Sequence, residues 1–163
     1  MRGFGEGIMM GALILLLVLV TLTTVGDAHP TEASGQVVHI VDGDTFDVEI
    51  EQADRDLEDV IRIRLADIDC PETRGSKACQ AGRDATNYTR EMLAGEWIYL
   101  DLDDKTGQDR YARWVAVVYL QDRVGEDAPL PRGPCFNRML VDAGHAVIDD
   151  YTNNEFNPVE WWE

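Results

Sequence analysis

Lysine is almost missing from this sequence, with Lys77 and Lys105 its only examples. Histidine stops at three residues (His29, His39 and His145) and cysteine at three (Cys70, Cys79 and Cys135). Neither set has the clustered spacing of a zinc site, which argues against a soft-metal centre. Three cysteines permit at most one internal disulfide with one thiol left over, and sequence does not say which residues would pair. No internal repeat is visible. The chain has 163 residues, and because its first two dozen or so are unlike the rest, it leaves room for one domain with one core.

Charge is also absent between Glu6 and Asp27, where Ile8 to Val25 forms an apolar run interrupted by Gly11, Thr21, Thr23 and Thr24. The run is long for the apolar part of a signal peptide and just long enough to span a bilayer. Gly26 and Ala28 supply small residues ahead of a cut before His29, whereas the positive charge in front of the run is only Arg2, offset by Glu6. Residues 1–28 therefore read as a signal peptide or an N-terminal membrane anchor, which puts the rest of the chain outside the cell, secreted or held at its surface. Residues 29–36 read as a linker and 37–163 as the domain.

What the sequence has in excess is acid. Its 31 acidic residues face 14 basic ones, for a net charge of −17. Such a surface repels polyanions at low ionic strength. At molar salt the Debye length falls to about 3 Å, so that local arginines can still grip a phosphate. The composition suits a salt-rich habitat, and equally suits a protein whose acids only keep it soluble.

Apolar alternation predicts strands over Val37 to Val41, Asp44 to Ile50 and Val60 to Leu65, with Asp42-Gly43 as a tight turn and Glu51 to Asp59 as a loop too acidic to pack. From Ala81 the positions Ala85, Tyr88 and Met92 recur at helical spacing until Gly95. Trp97 to Leu102 and Arg113 to Leu120 supply two more strands. A loop follows over Gln121 to Pro134, then a short helix over Asn137 to Ala143 ended by Gly144, and a tail closing on Trp161-Trp162. This order predicts a mainly β chain with helices (α+β), a five-stranded barrel of the OB type carrying two or three helices.

Two carboxylates break the apolar pattern. Asp44 shares the parity of Phe46, Val48 and Ile50, and Asp69 shares that of Ile61, Ile63 and Leu65, so both are expected at one rim of the interior. Paired carboxylates there need a cation or an arginine to neutralise them, and oxygen-only ligands favour Ca²⁺ or Mg²⁺, with Ca²⁺ the more tolerant of an open, irregular set. As ordinary turn residues, Asp42-Gly43-Asp44 and Asp69-Cys70-Pro71-Glu72 would need no metal. Arg64 and Arg113 are forks for phosphate oxygens, and Glu72 is a candidate water-activating base. The plainer roles are Arg64 paired to Asp59, Arg113 paired to Asp109 and Glu72 capping the next segment. Simple parity sets Arg64 opposite Asp69, so a shared site requires a bend or bulge between them.

The run Val41-Asp42-Gly43-Asp44-Thr45, then Ile63-Arg64-Leu65 leading to Asp69-Cys70-Pro71-Glu72-Thr73, then Asp109-Arg110-Tyr111-Ala112-Arg113, then Asn137 to Gly144, resembles the staphylococcal nuclease family in order and spacing, over roughly Val37 to Tyr151. The resemblance implies a Ca²⁺-dependent phosphodiesterase acting on DNA or RNA as a monomer and leaving a 3′-phosphate. It implies Ca²⁺ held by Asp44, Asp69 and the backbone carbonyl of Cys70, with Asp42 supporting the water shell. Glu72 would be the general base, and Arg64 and Arg113 would stabilise phosphoryl charge. Arg110 and Tyr111 match positions that contact a terminal phosphate, and Tyr151 matches an aromatic beside the base, with the alignment slipping by one. The chain departs from the family pattern in Cys70, where threonine is usual, in Ala112 and Trp114 around the second arginine, and in a missing or shortened final helix. The rival expectation is a noncatalytic barrel module that binds nucleic acid or protein. Such modules typically lose the carboxylates and arginines that this chain keeps.

Overall fold

The computed structural model describes residues 31–121 and 133–162. Residues 1–30, which include the expected signal peptide or anchor, and most of the expected loop after Gln121 lie outside the described residues. Nine elements carry the fold. The strands are β1 (Ala33–Ile40), β2 (Thr45–Ala53), β3 (Val60–Leu65), β4 (Ile68–Asp69), β5 (Trp97–Leu102), β6 (Trp114–Leu120) and β7 (Val147–Ile148), and the helices are α1 (Gln80–Leu93) and α2 (Phe136–Asp142). Five strands close a barrel in the order β1-β2-β3-β6-β5, and β4 pairs with β7 in a separate two-stranded ribbon. The predicted five-stranded barrel of the OB type with two helices is the observed fold.

Period-two alternation builds the interior. Phe46 and Val48 of β2, Ile61, Ile63 and Leu65 of β3, Ile98, Leu100 and Leu102 of β5, and Ala116 and Val118 of β6 all point inward and are buried. Burying a side chain of the larger kind stabilises by roughly 1.5–3 kcal/mol. Helix α1 closes one side of the barrel with a face of small residues, Gly82, Ala85, Thr86 and Thr89, followed by Leu93. The expected stripe through Tyr88 and Met92 is only half-buried, because small residues let the helix axis come closer and move its contact line round by one position.

Two boundaries differ from expectation for one reason. β1 starts at Ala33 rather than Val37, and β2 runs on to Ala53 through Glu49 and Glu51. Ala33 to Gln36 pair with β2 on one side and with β5 on the other, which closes the barrel. Backbone pairing holds these segments, so the small buried residues Ala33, Ser34 and Gly35 and the exposed acids of β2 are tolerated, and a hydrophobic pattern does not reveal them.

The tail covers the outer face of the barrel. Phe156 and Trp161 pack against Ala66, Val117 and Tyr119, and a short 3-10 segment, Pro158–Trp162, stands where a long final helix was expected to be missing or shortened. Arg138 of α2 donates to the carbonyl of Trp161 at 3.2 Å. All three cysteines are free thiols in this structure, with Cys70 buried. Among the described residues no helix is long and apolar enough to cross a membrane, and the apolar run at Ile8 to Val25 lies outside them.

Candidate active site

Strand register brings the first three parts together. Thr45 pairs with Arg64 across β2 and β3, and the parallel pairing of β3 with β6 sets Ile63 beside Trp114 and Arg64 beside Val115. Arg113, the residue before β6, therefore reaches the same end of the barrel as Arg64. The chain from Asp42 to Thr45 is a tight turn closed by the amides of Val41 and Asp42 donating to the carbonyl of Thr45, with the amide of Asp44 donating to Asp42 Oδ1 at 3.3 Å.

The bend that parity demanded between Arg64 and Asp69 is present. β3 ends at Leu65, Asp67 takes a left-handed backbone with φ of 51°, and the chain restarts as β4 at Ile68. The turn swings Asp69 back toward Arg64, whose Nη2 donates to Asp69 Oδ1 at 3.1 Å. Arg64 Nη1 lies 2.9 Å from Asp44 Oδ2, so one guanidinium bridges both carboxylates and has no part in the expected pairing with Asp59. Asp44 is buried and also accepts the amide of Cys70 at 2.9 Å. Burial, opposed by Arg64 and reinforced by the negative charge of Asp42, pushes Asp44 up to about 6.

Arg113 is fixed as firmly. Its Nε donates to Asp109 Oδ2 at 2.7 Å, its amide donates to Asp109 Oδ1 at 3.0 Å, and its Nη1 donates to Thr45 Oγ1 at 3.3 Å. Burial works against the charge on Asp109, but the hydrogen bonds from Arg113 and from the amide of Tyr111 hold its carboxyl below the usual range. Thr45 Oγ1 in turn donates to Asp44 Oδ1 at 3.1 Å. A continuous chain of contacts thus runs Asp109, Arg113, Thr45, Asp44, Arg64, Asp69. The plain pairing of Arg113 with Asp109 and its place in the site are both present. Ala112 holds the turn before Arg113 with a φ of 58°, a conformation that disfavours any residue with a β-carbon.

One cavity of about 280 Å³ is lined by Asp42, Asp44, Arg64, Asp69, Cys70, Glu72, Arg110, Tyr111 and Arg113. Every residue proposed for metal, catalysis or terminal phosphate opens on it. Tyr151 does not. It lines an adjoining cavity of about 550 Å³ that shares Arg64, Arg110, Tyr111 and Arg113 with the first. Both guanidinium groups flanking Ala112 lie over the ring of Tyr111, Arg110 at 4.7 Å and Arg113 at 5.3 Å from its centre. Glu72 is exposed, and its carbonyl accepts the amide of Cys79 at 3.1 Å, so the backbone around it is tied to the start of α1.

Several residues that shape this site had no signal of their own in the sequence. Thr89 of α1 donates to the carbonyl of Gly43 at 2.6 Å, pinning the Asp42–Asp44 turn to the helix. A β-carbon on Gly43 would lie 2.9 Å from Cys70 Sγ, and one on Gly82 would lie 2.2 Å from the carbonyl oxygen of Glu72. Cys70 is buried in that packing, and burial raises its thiol far above the ordinary range.

The family described as staphylococcal nuclease homologue matches residues 62–160, more than half of the chain. An uncharacterized endonuclease of Escherichia coli O157:H7 is 32% identical over 126 residues, 77% of this chain and 67% of that protein. A thermonuclease of Staphylococcus hyicus is 27% identical over 131 residues, 79% of this chain and 67% of its own length. A micrococcal nuclease of Shigella flexneri is 40% identical over 88 residues, 52% of this chain and 41% of that protein. The chain thus spans from two-fifths to about two-thirds of the length of these relatives.

Proposed function

The chain belongs to the staphylococcal nuclease family, and on that premise we propose that it hydrolyses phosphodiester bonds of DNA or RNA in the cavity shared by Arg64, Glu72 and Arg113. One observation carries the reading. Side chains from the Asp42–Thr45 turn, β3, β4, the Cys70–Glu72 segment and the Asp109–Arg113 turn all line one cavity. A noncatalytic module has no need of that convergence.

The donor set fits a hard divalent cation. Asp44, Asp69 and the carbonyl of Cys70 offer oxygen only, and Asp42 adds a further charge beside Asp44. Among the described residues no group of three His, Cys, Asp or Glu side chains is placed to hold a metal ion, so the two carboxylates and the carbonyl would share the ion with water and substrate. Ca²⁺, held by Asp44 and Asp69 with Asp42 behind them, would act as a Lewis acid toward a phosphoryl oxygen and leave positions for water and substrate.

The protein's own groups divide the remaining work. Glu72 takes a proton from the water that attacks phosphorus, the new P–O bond forms from that water, and the opposite P–O5′ bond breaks, its oxygen taking a proton from solvent, to leave a 3′-phosphate and a 5′-hydroxyl. Arg64 and Arg113 supply fixed donors for the charge that builds on the phosphoryl oxygens, and Asp44, Asp69 and Asp109 orient them before substrate arrives. Arg110 and Tyr111 receive a terminal phosphate, and Tyr151 flanks a base from the adjoining cavity. The proposal includes export as a monomer, with residues 1–28 as signal peptide or anchor. Recovery of the chain solely from the cytosol would refute that part.

The test is cleavage of single-stranded DNA and of RNA, with Ca²⁺ or with chelator, by the protein and by Glu72→Gln, Arg64→Ala and Arg113→Ala. Removing one such donor costs about 10²- to 10³-fold in rate, so each arginine variant should be nearly inactive while circular dichroism shows it folded. Products that form equally well in chelator, or full activity in Glu72→Gln, would overturn the mechanism.

A further inference from the structure

Asp67 carries two burdens, the first of which an apolar residue at the same place would escape and the second only glycine. It is fully buried with no hydrogen-bond partner for Oδ2 among the described residues, and its backbone stands at φ of 51° although it has a β-carbon. Both are unfavourable, and a strained residue that persists points to a constraint imposed by its surroundings. Its position is informative, because it occupies the turn between Arg64 and Asp69.

Its remaining polar atoms converge on the tail. The carbonyl of Asp67 accepts the amide of Asp149 at 3.0 Å, extending the ladder in which Ile68 pairs with Ile148 and Asp69 with Val147. Oδ1 accepts the amide of Tyr151 at 2.9 Å and a short hydrogen bond from Asn154 Nδ2. The far side of the same segment is tied down independently. Thr106 Oγ1 donates to the carbonyl of Asn153 at 2.6 Å, and Lys105 Nζ donates to that of Thr152 at 2.9 Å. Loss of the Asp67 carboxylate would therefore leave the tail docked and free only the stretch that bears Tyr151.

Resting on the nuclease reading above, we infer that Asp67 is a positioning residue that fixes Tyr151 against the arginine-lined cavity, and so sets affinity for the nucleotide beside the scissile phosphate rather than the rate of bond cleavage. Asp67 and Tyr151 line one cavity with Arg64, Arg110, Tyr111 and Arg113, and the smaller cavity of the proposed chemistry shares those four residues. Asp69 pairs with Val147 in the adjoining ladder, and both glycine and asparagine at position 67 keep the left-handed turn that aims Asp69 at Arg64. Affinity and turnover therefore separate.

Three variants test this. Asp67→Gly relieves the backbone but removes both side-chain anchors. Asp67→Asn keeps an acceptor and tolerates the left-handed conformation. Asn154→Ala removes one anchor from the opposite side and stands in if Asp67→Gly does not fold. Binding of a nucleoside 3′,5′-bisphosphate is followed by calorimetry, KM and kcat on single-stranded DNA by cleavage, and exchange of the Tyr151 amide by NMR. The expected result is about tenfold weaker binding and about tenfold higher KM for Asp67→Gly, with kcat within about threefold and faster amide exchange. Asn154→Ala should show a smaller change of the same sign, and Asp67→Asn should lie near the unsubstituted protein. Unchanged binding in Asp67→Gly, a fall in kcat at constant KM, or an Asn variant as damaged as the Gly variant would overturn the inference. If the unsubstituted protein cleaves nothing, the nuclease reading falls, and the bisphosphate titration still decides whether Asp67 sets nucleotide affinity.

Discussion

Gly82 offers the sharpest test of how the fold places Glu72, the proposed base, because two well-founded rules predict opposite outcomes for Gly82→Ala. Glycine inside a helix costs about 1 kcal/mol relative to alanine, so helix propensity alone predicts a more stable protein. In this structure the added β-carbon would sit 2.2 Å from the carbonyl oxygen of Glu72, 2.5 Å from its carbonyl carbon and 2.6 Å from the carbonyl oxygen of Pro71. A tolerable C···O approach is about 3.3 Å, so α1 and the Pro71–Glu72 backbone must part by about 1 Å. Overpacking of this kind costs about 1–3 kcal/mol, which cancels or outweighs the gain in propensity. The same movement breaks the bond from the amide of Cys79 to Glu72 and displaces the base. A misplacement of about 1 Å costs on the order of 10²-fold in rate. The assay pairs kcat on saturating single-stranded DNA with urea unfolding of the same sample. A Gly82→Ala protein that is more stable than its parent and turns over at the parental rate would show that the helix contact does not position Glu72.

Three other outcomes follow from single observations. Ala112 is exposed and left-handed at φ of 58°, which costs about 1–2 kcal/mol, so Ala112→Gly should gain about 0.5–1 kcal/mol after the extra chain entropy of glycine, and a lower thermal midpoint would refute it. Burial first, then the charges of Glu32, Glu155 and Asp104, push Asp101 up to about 8. Its folded pKa therefore lies above the unfolded one, folding retains a proton between about pH 4 and pH 8, and stability falls as pH rises through that window. Asp101→Asn should remove this loss, overtaking the parent by about 2 kcal/mol between pH 5 and pH 9 once the full value of about 1.4 kcal/mol per pKa unit is reduced for solvent screening, and equal gaps at both pH values would refute it. Finally, the net charge of −17 opposes substrate at low ionic strength. KM should stay flat or fall between about 0.1 and 1 M salt, whereas three uncompensated phosphate contacts would raise it about 10²-fold over that range.

The barrel was readable because its interior alternates. Val60 to Leu65 and Trp97 to Leu102 have the bounds that their apolar pattern predicted, since inward and outward residues differ sharply in polarity there. The same rule exposed Asp44, whose parity with Phe46 and Val48 placed a carboxylate at the rim of an apolar interior, where the structure has it buried. Ala33 to Gln36 were misread as linker because two ladders of backbone hydrogen bonds need no apolar side chain. The Tyr88 and Met92 stripe failed for a related reason. Close approach by Gly82, Ala85 and Thr89 depends on having little side chain at all, and periodicity scales weigh size poorly.

The site itself was only half readable, and the missing half consists of groups that act through the backbone. Sequence parity put Arg64 and Asp69 on opposite faces, and only the left-handed turn at Asp67 reverses that relation. Nothing marks an aspartate as a turn of this hand until its carbonyl and carboxylate are seen holding Asp149, Tyr151 and Asn154. Composition misleads in the same way. A chain with more than twice as many acids as bases looks unfit to hold a polyanion, yet Asp44, Asp69 and Asp109 are what lock Arg64 and Arg113 in place. An arginine held by carboxylates before substrate arrives loses less freedom when it meets phosphate, so acids beside the site serve the grip that their charge would seem to oppose.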